Sequence, residues 1–359
     1  MIPKHAKQAL GQRLLAAFRE AGAVEVAPDL LLPADTLLDL YGEDIRARAY
    51  LTDDPLRGEV ALRPDFTVPV VQMHMEGGAE PARYCYLGEV FRKQDPGETR
   101  PEQPRDNEYL QCGFELFSRE AQADAEVFAL IHRLLARYDL QPVIGDMALL
   151  MDAVRALPLP EPRRDALLHH IWRPGRFAAL LERFSAATPA RAFAANDAPW
   201  TGLRSEAEMQ LRLDRLAADA DAAPLPAEWA ERLTRLFAIS APAPEALAQL
   251  KALAGRMPAI LPAVERLAAR LGDIAGRGID LTGLRFDASH GRHTMEYYDG
   301  FTFSFIASGR AGWPAVASGG RYDALTAILG RDGNGGRAIP AIGGIIRPGL
   351  LAELEAAPC

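Results

Sequence analysis

The spacing of apolar residues predicts alternating helices and strands over the first 145 residues. Leu10, Leu14 and Phe18 recur every three or four positions, which indicates an amphipathic helix from Lys4 to Ala21. Apolar runs with period-two spacing indicate strands instead. The other elements expected here are strands at 24–26, 48–52, 60–63, 83–91, 109–117 and 142–144 and helices at 33–40, 67–74 and 121–138.

The segment from Arg83 to Phe117 reads as two strands joined by a long polar loop. Its second strand alternates Gln111, Gly113 and Glu115 with apolar residues. Because side chains alternate with period two, Gln111 and Glu115 should share one face, which in a half-buried strand is expected to face water. With Arg92 they also suit a ligand that carries a carboxylate, an amine and a ring nitrogen. Spacing alone leaves a solvated face and a ligand site equally open.

The middle of the chain has a different character. It is rich in Ala, Leu and Arg, and frequent prolines divide it into short stretches with helical spacing. We interpret residues 146–279 as a helical insertion packed on a discontinuous core of residues 1–145 and 280–359; whether the insertion is independent stays open. His169 and His170 lack a nearby cysteine or a suitably spaced carboxylate, so no metal site is expected.

Strand character returns towards the C-terminus. Strands are expected at 284–288 and 315–318, and a helix at 322–329. The alternating segment 297–305 with its Asp-Gly pair predicts a hairpin with a tight turn. The Gly-rich segment 331–337 lacks the spacing of a phosphate-binding loop.

Composition narrows the class of protein. The 359 residues are 49% hydrophobic and 25% charged with a net charge of −8, which argues against a broad nucleic-acid-binding surface. Cys85 and Cys112 fall on the two hairpin strands and are expected to be reduced core thiols. With no signal peptide and no apolar run near ~18 residues, a cytoplasmic protein without membrane spans is expected.

Four stretches, taken in order, resemble the histidyl branch of the class II aminoacyl-tRNA synthetases. The hairpin with its Gln-x-Gly-x-Glu strand is similar to motif 2. LRPDFT at 62–67 resembles the histidine-binding strand, ASGGRYDALTAILG at 317–330 a Gly-Gly-Arg-Tyr-Asp element, and PAIGGIIRPGL at 340–350 motif 3. The resemblance implies an α+β fold: an antiparallel sheet flanked by helices, with a helical insertion. It places the dimer-forming motif 1 near 33–40. The resembling synthetases carry an anticodon-binding domain after motif 3, and this chain is expected to lack it.

The resemblance also implies a histidine pocket. Asp65, Thr67 and Gln111 match amine-binding positions, and Glu115 matches the group that reads the imidazole, helped by a tyrosine of the pair Tyr297-Tyr298. The chemistry is coherent, because carboxylate and amide oxygens accept from an ammonium group and Glu115 can accept from an imidazole N–H. No metal or other cofactor is implied.

The matching ATP site looks impaired. Arg92 and Arg347 match the two arginines that hold ATP in the family, and Arg92 is also expected to be a histidine-binding residue. Gln94 replaces an expected glutamate. Phe66 replaces a glycine. Arg292 lies one residue further from the tyrosine pair than the family arginine, and a one-residue slip in a strand turns a side chain to the other face.

This combination is similar to the regulatory subunits of ATP phosphoribosyltransferase, which are synthetase paralogues without the anticodon-binding domain. The resemblance implies a non-catalytic, homodimeric regulatory subunit for the first step of histidine biosynthesis. Its partner would be the short-form catalytic subunit, its allosteric effector would be histidine, and no tRNA would bind. A truncated synthetase-like enzyme that activates histidine stays open as the alternative.

Overall fold

A computed structural model describes residues 2–35, 48–93, 107–187, 202–293, 297–310, 312–330 and 338–356. The helices are α1 (Lys4–Glu20), α2 (Thr67–Met75), α3 (Ala123–Leu135), α4 (Met147–Arg155), α5 (Glu161–His169), α6 (Pro174–Ser185), α7 (Glu206–Asp221), α8 (Ala227–Phe237), α9 (Ala243–Ala254), α10 (Leu261–Gly276), α11 (Asp323–Leu329) and α12 (Pro348–Ala356), with short 3-10 turns at Pro258–Ile260 and His290–His293. The strands are β1 (Val24–Glu25), β2 (Leu31–Pro33), β3 (Leu51–Asp54), β4 (Gly58–Leu62), β5 (Ala82–Phe91), β6 (Glu108–Phe117), β7 (Leu140–Asp146), β8 (Ser240–Pro242), β9 (Arg285–Asp287), β10 (Phe301–Ala307), β11 (Ala317–Arg321) and β12 (Ala341–Ile346).

The described strands form a nine-stranded sheet in the order β1-β5-β6-β12-β11-β10-β7-β9-β8 and a small sheet in the order β2-β4-β3. From β5 to β7 every neighbouring pair is antiparallel. The β1–β5 and β7–β9 pairs are parallel, so the sheet is mixed rather than wholly antiparallel. Both parallel pairs are joined by long connections, as parallel neighbours require.

Helices cover one face of the large sheet. α1, α3 and α12 pack against its central strands, and α10 packs on α3. Phe128 of α3 lies 5.5 Å from Phe303 and 5.6 Å from Phe305, ring centre to ring centre. Cys85 and Cys112 are free thiols buried on this face. Helices on this side leave the opposite face of the central strands for a second, smaller cluster of buried side chains.

The helical segment between β7 and β9 shares the main apolar core. Leu250, Val264 and Leu267 belong to the same buried cluster as the residues of α3. Several of its helices have proline at the first or second position, where the missing N–H costs nothing. The short strand β8 pairs with β9 and extends the large sheet, which the sequence pattern did not indicate. The division into a core and an insertion stays a prediction.

The expected hairpin at 297–305 is wrong. β10 pairs instead with β7 and β11, and Tyr297 and Tyr298 lie in a turn before it. The Asp299 carboxylate accepts from the backbone N–H groups of Asp323 at 3.1 Å and Ala324 at 2.6 Å, so it holds the start of α11. The Asp-Gly pair therefore does not form a hairpin turn; its aspartate accepts hydrogen bonds from the N-terminus of α11.

Other expectations are met in part. The helix expected at 33–40 starts only after Pro33, which ends β2, and residues 36–47 lie outside the described residues, as do 94–106 and 331–337. In the described part of the chain, no helix combines the length and apolarity needed to cross a bilayer.

Candidate functional site

The face of the hairpin opposite α1, α3 and α12 carries the polar residues. The strand register places Gly88 opposite Gln111 and Gly343 opposite Glu115, so these residues share one face with Gly113. The shared face of Gln111 and Glu115 follows the period-two expectation. The expectation that it faces water is wrong: Gln111 is 2% exposed and Glu115 is 0% exposed. The residues of α2, α11 and the turn before β10 cover it.

Three hydroxyl groups donate to the buried carboxyl group of Glu115. Thr67 at the start of α2 lies 3.0 Å from Oε1, and the Tyr86 hydroxyl lies 2.9 Å from the same oxygen. The Tyr322 hydroxyl lies 2.7 Å from Oε2. Neither tyrosine was predicted as a site residue, although Tyr86 stands opposite Gly113 in the hairpin and Tyr322 belongs to the Gly-Gly-Arg-Tyr-Asp element.

Burial perturbs the ionisation of this cluster. It raises the pKa of Glu115 from its ordinary 4.5 to about 7, against the three hydroxyl bonds that lower it, and the nearby charge of Asp65 raises it further. Burial and the charge of Glu115 also raise the pKa values of Tyr86 and Tyr322. Among the described residues, no cationic side chain forms an ion pair with Glu115. Near neutral pH this carboxyl group is therefore poised between its two protonation states.

One acceptor position of Glu115 is left for another donor. An ionised carboxylate offers about four acceptor positions, and the hydroxyls of Thr67, Tyr86 and Tyr322 occupy three. The remaining position is on Oε2, which accepts only from Tyr322 among the described residues. The same oxygen lies close to Gly343, where an added Cβ would be 1.5 Å from it. Glycine is therefore needed at this point of β12. An N–H group is the kind of donor that the free position accepts.

Gln111 provides a second unsatisfied acceptor on this face. Its Oε1 atom is buried and has no hydrogen-bond partner among the described residues. Such a buried orphan oxygen costs free energy unless a ligand or water satisfies it. Asp65 is 4% exposed, and its Oδ1 accepts from the backbone N–H of Val68 at 3.3 Å. Asp65 thus helps to cap α2, which is the structural role that competes with ligand binding.

The tyrosine pair and Arg92 border the same region. The rings of Tyr297 and Tyr298 meet edge to face at 4.8 Å, and Tyr297 lies 6.0 Å from Tyr322. Burial first, and then the charge of Glu115, raise the pKa of Tyr298, whereas the charge of Arg92 lowers it. Arg92 therefore acts on Tyr298 electrostatically, while its Nε donates to the Pro64 carbonyl at 2.8 Å.

Phe66 narrows the site where the resembling family has glycine. Its ring stacks on Tyr86 at 4.2 Å and 9°, and the Arg63 guanidinium lies 3.9 Å from the Phe66 ring centre. A Cβ at Gly88 would lie 2.6 Å from Arg63 and 2.8 Å from Phe66. These two side chains fill the space above Gly88, beside Gln111, which restricts that side of the site.

The other candidate arginines lie elsewhere. Arg347 donates to the carbonyl of Ala315, and its guanidinium lies 5.9 Å from the Tyr109 ring, towards the other end of β6. Arg292 is not part of a strand, so the strand-based argument about its side chain does not apply. It lies in the 3-10 turn His290–His293, and its Nε donates to the Ile171 carbonyl at 2.8 Å. Arg292 thus contacts the helical segment between β7 and β9 instead of the Glu115 face.

Known proteins are similar to this chain in sequence over nearly its whole length. The family model for histidyl-tRNA synthetase matches residues 2–196 and 205–344. An ATP phosphoribosyltransferase regulatory subunit of Allorhizobium ampelinum is 32% identical over 92% of this chain and 93% of its own. One from Mesorhizobium japonicum is 33% identical over 96% of both.

Solved structures show the same fold. A Bacillus halodurans protein described as an ATP phosphoribosyltransferase regulatory subunit/histidyl-tRNA synthetase superposes with a TM-score of 0.71 at 19% identity, over 99% of this chain and 81% of that one. Histidyl-tRNA synthetase of Nostoc gives a TM-score of 0.66 at 18% identity, over 98% of this chain and 72% of that one. The fold is therefore that of the histidyl class II synthetases.

Proposed function

Because the chain belongs to the family of ATP phosphoribosyltransferase regulatory subunits, which share the fold of histidyl-tRNA synthetases, we propose that it regulates that enzyme in the first step of histidine biosynthesis. The observation that carries the proposal is the buried polar face of the hairpin. It combines the Glu115 carboxyl group, with one acceptor position left, and the orphan oxygen of Gln111.

Histidine is the ligand that this face suits best. Its imidazole N–H would donate to the remaining acceptor position on Glu115, and its ammonium group would donate to the Gln111 oxygen and to Asp65. The tyrosines around Glu115 give the ring an apolar and aromatic environment. A hydrogen-bonded ring nitrogen discriminates strongly, because an analogue without it leaves a buried carboxyl group unsatisfied.

We propose that the chain is not itself a catalyst. Adenylate formation depends on cations that neutralise the reacting carboxylate and phosphate. Arg292 donates to a backbone carbonyl of the insertion, Arg347 donates to another carbonyl, and position 94 holds glutamine instead of glutamate. The alternative, a truncated histidine-activating enzyme, predicts histidine-dependent ATP–pyrophosphate exchange, and our proposal predicts none.

The remaining parts of the proposal concern assembly. The short-form catalytic subunit is the partner that would supply catalysis, and histidine would act as an effector by binding two states of the complex unequally. We further propose a cytoplasmic homodimer that forms through the region around 33–40 and does not bind tRNA. Most of that region lies outside the described residues.

Calorimetric titration with histidine tests the ligand. Glu115→Ala removes the carboxyl group, so histidine affinity should fall by on the order of tenfold or more, as expected for a hydrogen bond to a charged group. Gln111→Ala should also weaken binding. Glu120→Gln, on an exposed carboxylate, is the matched control and should bind as the unmodified chain does. Equal affinity in all four proteins would refute a histidine site at this face.

A further inference from the structure

A cationic segment joins α5 to α6 in the helical insertion. Residues 169–176 include His169, His170, Arg173 and Arg176 and contain no acidic side chain. α6 begins within this segment, and its N-terminus has neither a side-chain cap nor an acidic residue in the first turn. Exposed N–H groups and the helix dipole make such an end favourable for an anion.

Arg292 approaches this segment from the sheet side. Its side chain is nearly enclosed: the residue is 7% exposed, and Nε donates to the Ile171 carbonyl at 2.8 Å. The guanidinium lies 4.6 Å from the Phe237 ring centre and 5.0 Å from that of Phe177. Within the described part of the chain, its Nη2 atom has no hydrogen-bond partner and no carboxylate forms an ion pair with the residue. A buried cation without a counter-charge is expensive.

Two further nitrogen atoms, on the residues next to Ile171 in the sequence, also lack hydrogen-bond partners among the residues that the structure describes. These are Nδ1 of His170 and Nε1 of Trp172, on either side of the residue whose carbonyl Arg292 binds. The indole N–H and the guanidinium can only donate. Burial lowers the pKa of His170, and the positive charges of His169, Arg173 and Arg176 lower it further.

We propose that Arg292, Trp172 and the start of α6 form a binding site for a phosphate group of a small molecule. A phosphoryl group offers three or more acceptor oxygens and up to two negative charges, which matches several unsatisfied donors and a surplus of cations better than a carboxylate does. The donor atoms are shielded from solvent, so entry requires the half-buried side chains of His170 and Trp172 to move aside. The site is separate from the Glu115 face and does not depend on the function proposed for it.

Calorimetric titration of the full chain with pyrophosphate, at constant ionic strength, tests this site. Saturable binding with one site per chain is expected. Trp172→Phe keeps an aromatic ring but removes the donor, and should weaken binding about tenfold. Arg176→Gln removes one exposed charge and should weaken it about two- to fivefold.

The control removes the same charge elsewhere. Arg212 lies exposed on α7, and Arg212→Gln should leave pyrophosphate affinity unchanged. Inorganic phosphate should compete with pyrophosphate, and acetate at equal ionic strength should not. The proposal is overturned by the lack of saturable binding, by an unchanged affinity in Trp172→Phe, by equal losses in Arg176→Gln and Arg212→Gln, or by competition from acetate as strong as that from phosphate.

Discussion

The buried carboxyl group of Glu115 makes a specific prediction about stability and pH. The perturbation is Glu115→Gln, which keeps the size of the side chain and removes its ionisation. In the folded protein the pKa of Glu115 is raised to about 7 from an ordinary 4.5, chiefly by burial. The fold therefore favours the protonated form. The stability that this contributes is fully present below pH 4.5 and is lost as pH rises through 7.

The size of the effect follows from the shift. Each pKa unit corresponds to about 1.4 kcal/mol, so ionising Glu115 in the fold costs up to about 3 kcal/mol at high pH. Between pH 5 and pH 8 the loss is about 2.5 kcal/mol by the same linkage. Other titrating groups are common to both proteins and largely cancel in the difference between them.

Urea unfolding at pH 5 and pH 8 measures this difference. The free energy of unfolding of the unmodified chain, relative to Glu115→Gln, should be about 2.5 kcal/mol higher at pH 5 than at pH 8. The lost hydroxyl bonds lower the stability of Glu115→Gln by a similar amount at both pH values, so they drop out. A relative stability that is the same at pH 5 and pH 8 would show that Glu115 is not the buried, proton-binding group described here.

Two further predictions concern packing and buried charge. Gly343→Ala places a Cβ 1.5 Å from Glu115, so it should lower the free energy of unfolding by about 1–3 kcal/mol and weaken histidine binding. Gly272 lies in α10 with open space around it, so Gly272→Ala should instead raise the free energy of unfolding by up to ~1 kcal/mol. Equal effects of Gly343→Ala and Gly272→Ala would contradict the close approach of Gly343 to Glu115. The Asp124 carboxylate forms buried ion pairs with Arg270 at 2.7 Å and with Arg321 at 2.6 Å. Asp124→Asn should therefore lower the free energy of unfolding in urea by about 3–5 kcal/mol. A decrease below ~1 kcal/mol would show that these ion pairs contribute little to stability.

The local periodicity of the sequence was enough to predict part of the site. Period-two spacing was enough to put Gln111 and Glu115 on one face, because alternation is a property of the strand alone. Their burial was not predictable in this way, since it depends on α2 and α11 packing over that face from distant parts of the chain. Tyr322, whose hydroxyl donates a hydrogen bond to Glu115, is 207 residues away from it in the sequence.

The errors in the fold have the same origin. The Asp-Gly pair at 299–300 has the local character of a hairpin turn, but the Asp299 carboxylate is used by the backbone of α11. β8 is three residues long, and its partner β9 begins only at Arg285, so no local pattern marked it as a strand. Tertiary contacts, rather than intrinsic conformational preference, determined the structure of both segments.

The most direct test of the regulatory role is the ATP phosphoribosyltransferase activity of the short-form catalytic subunit, measured with and without this chain and with and without histidine. We predict that the chain raises the activity, that histidine lowers the activity of the assembled complex, and that Glu115→Ala still raises activity but no longer responds to histidine. If the catalytic subunit is equally active without the chain, or if the complex with Glu115→Ala is inhibited as strongly as the unmodified complex, the account is contradicted.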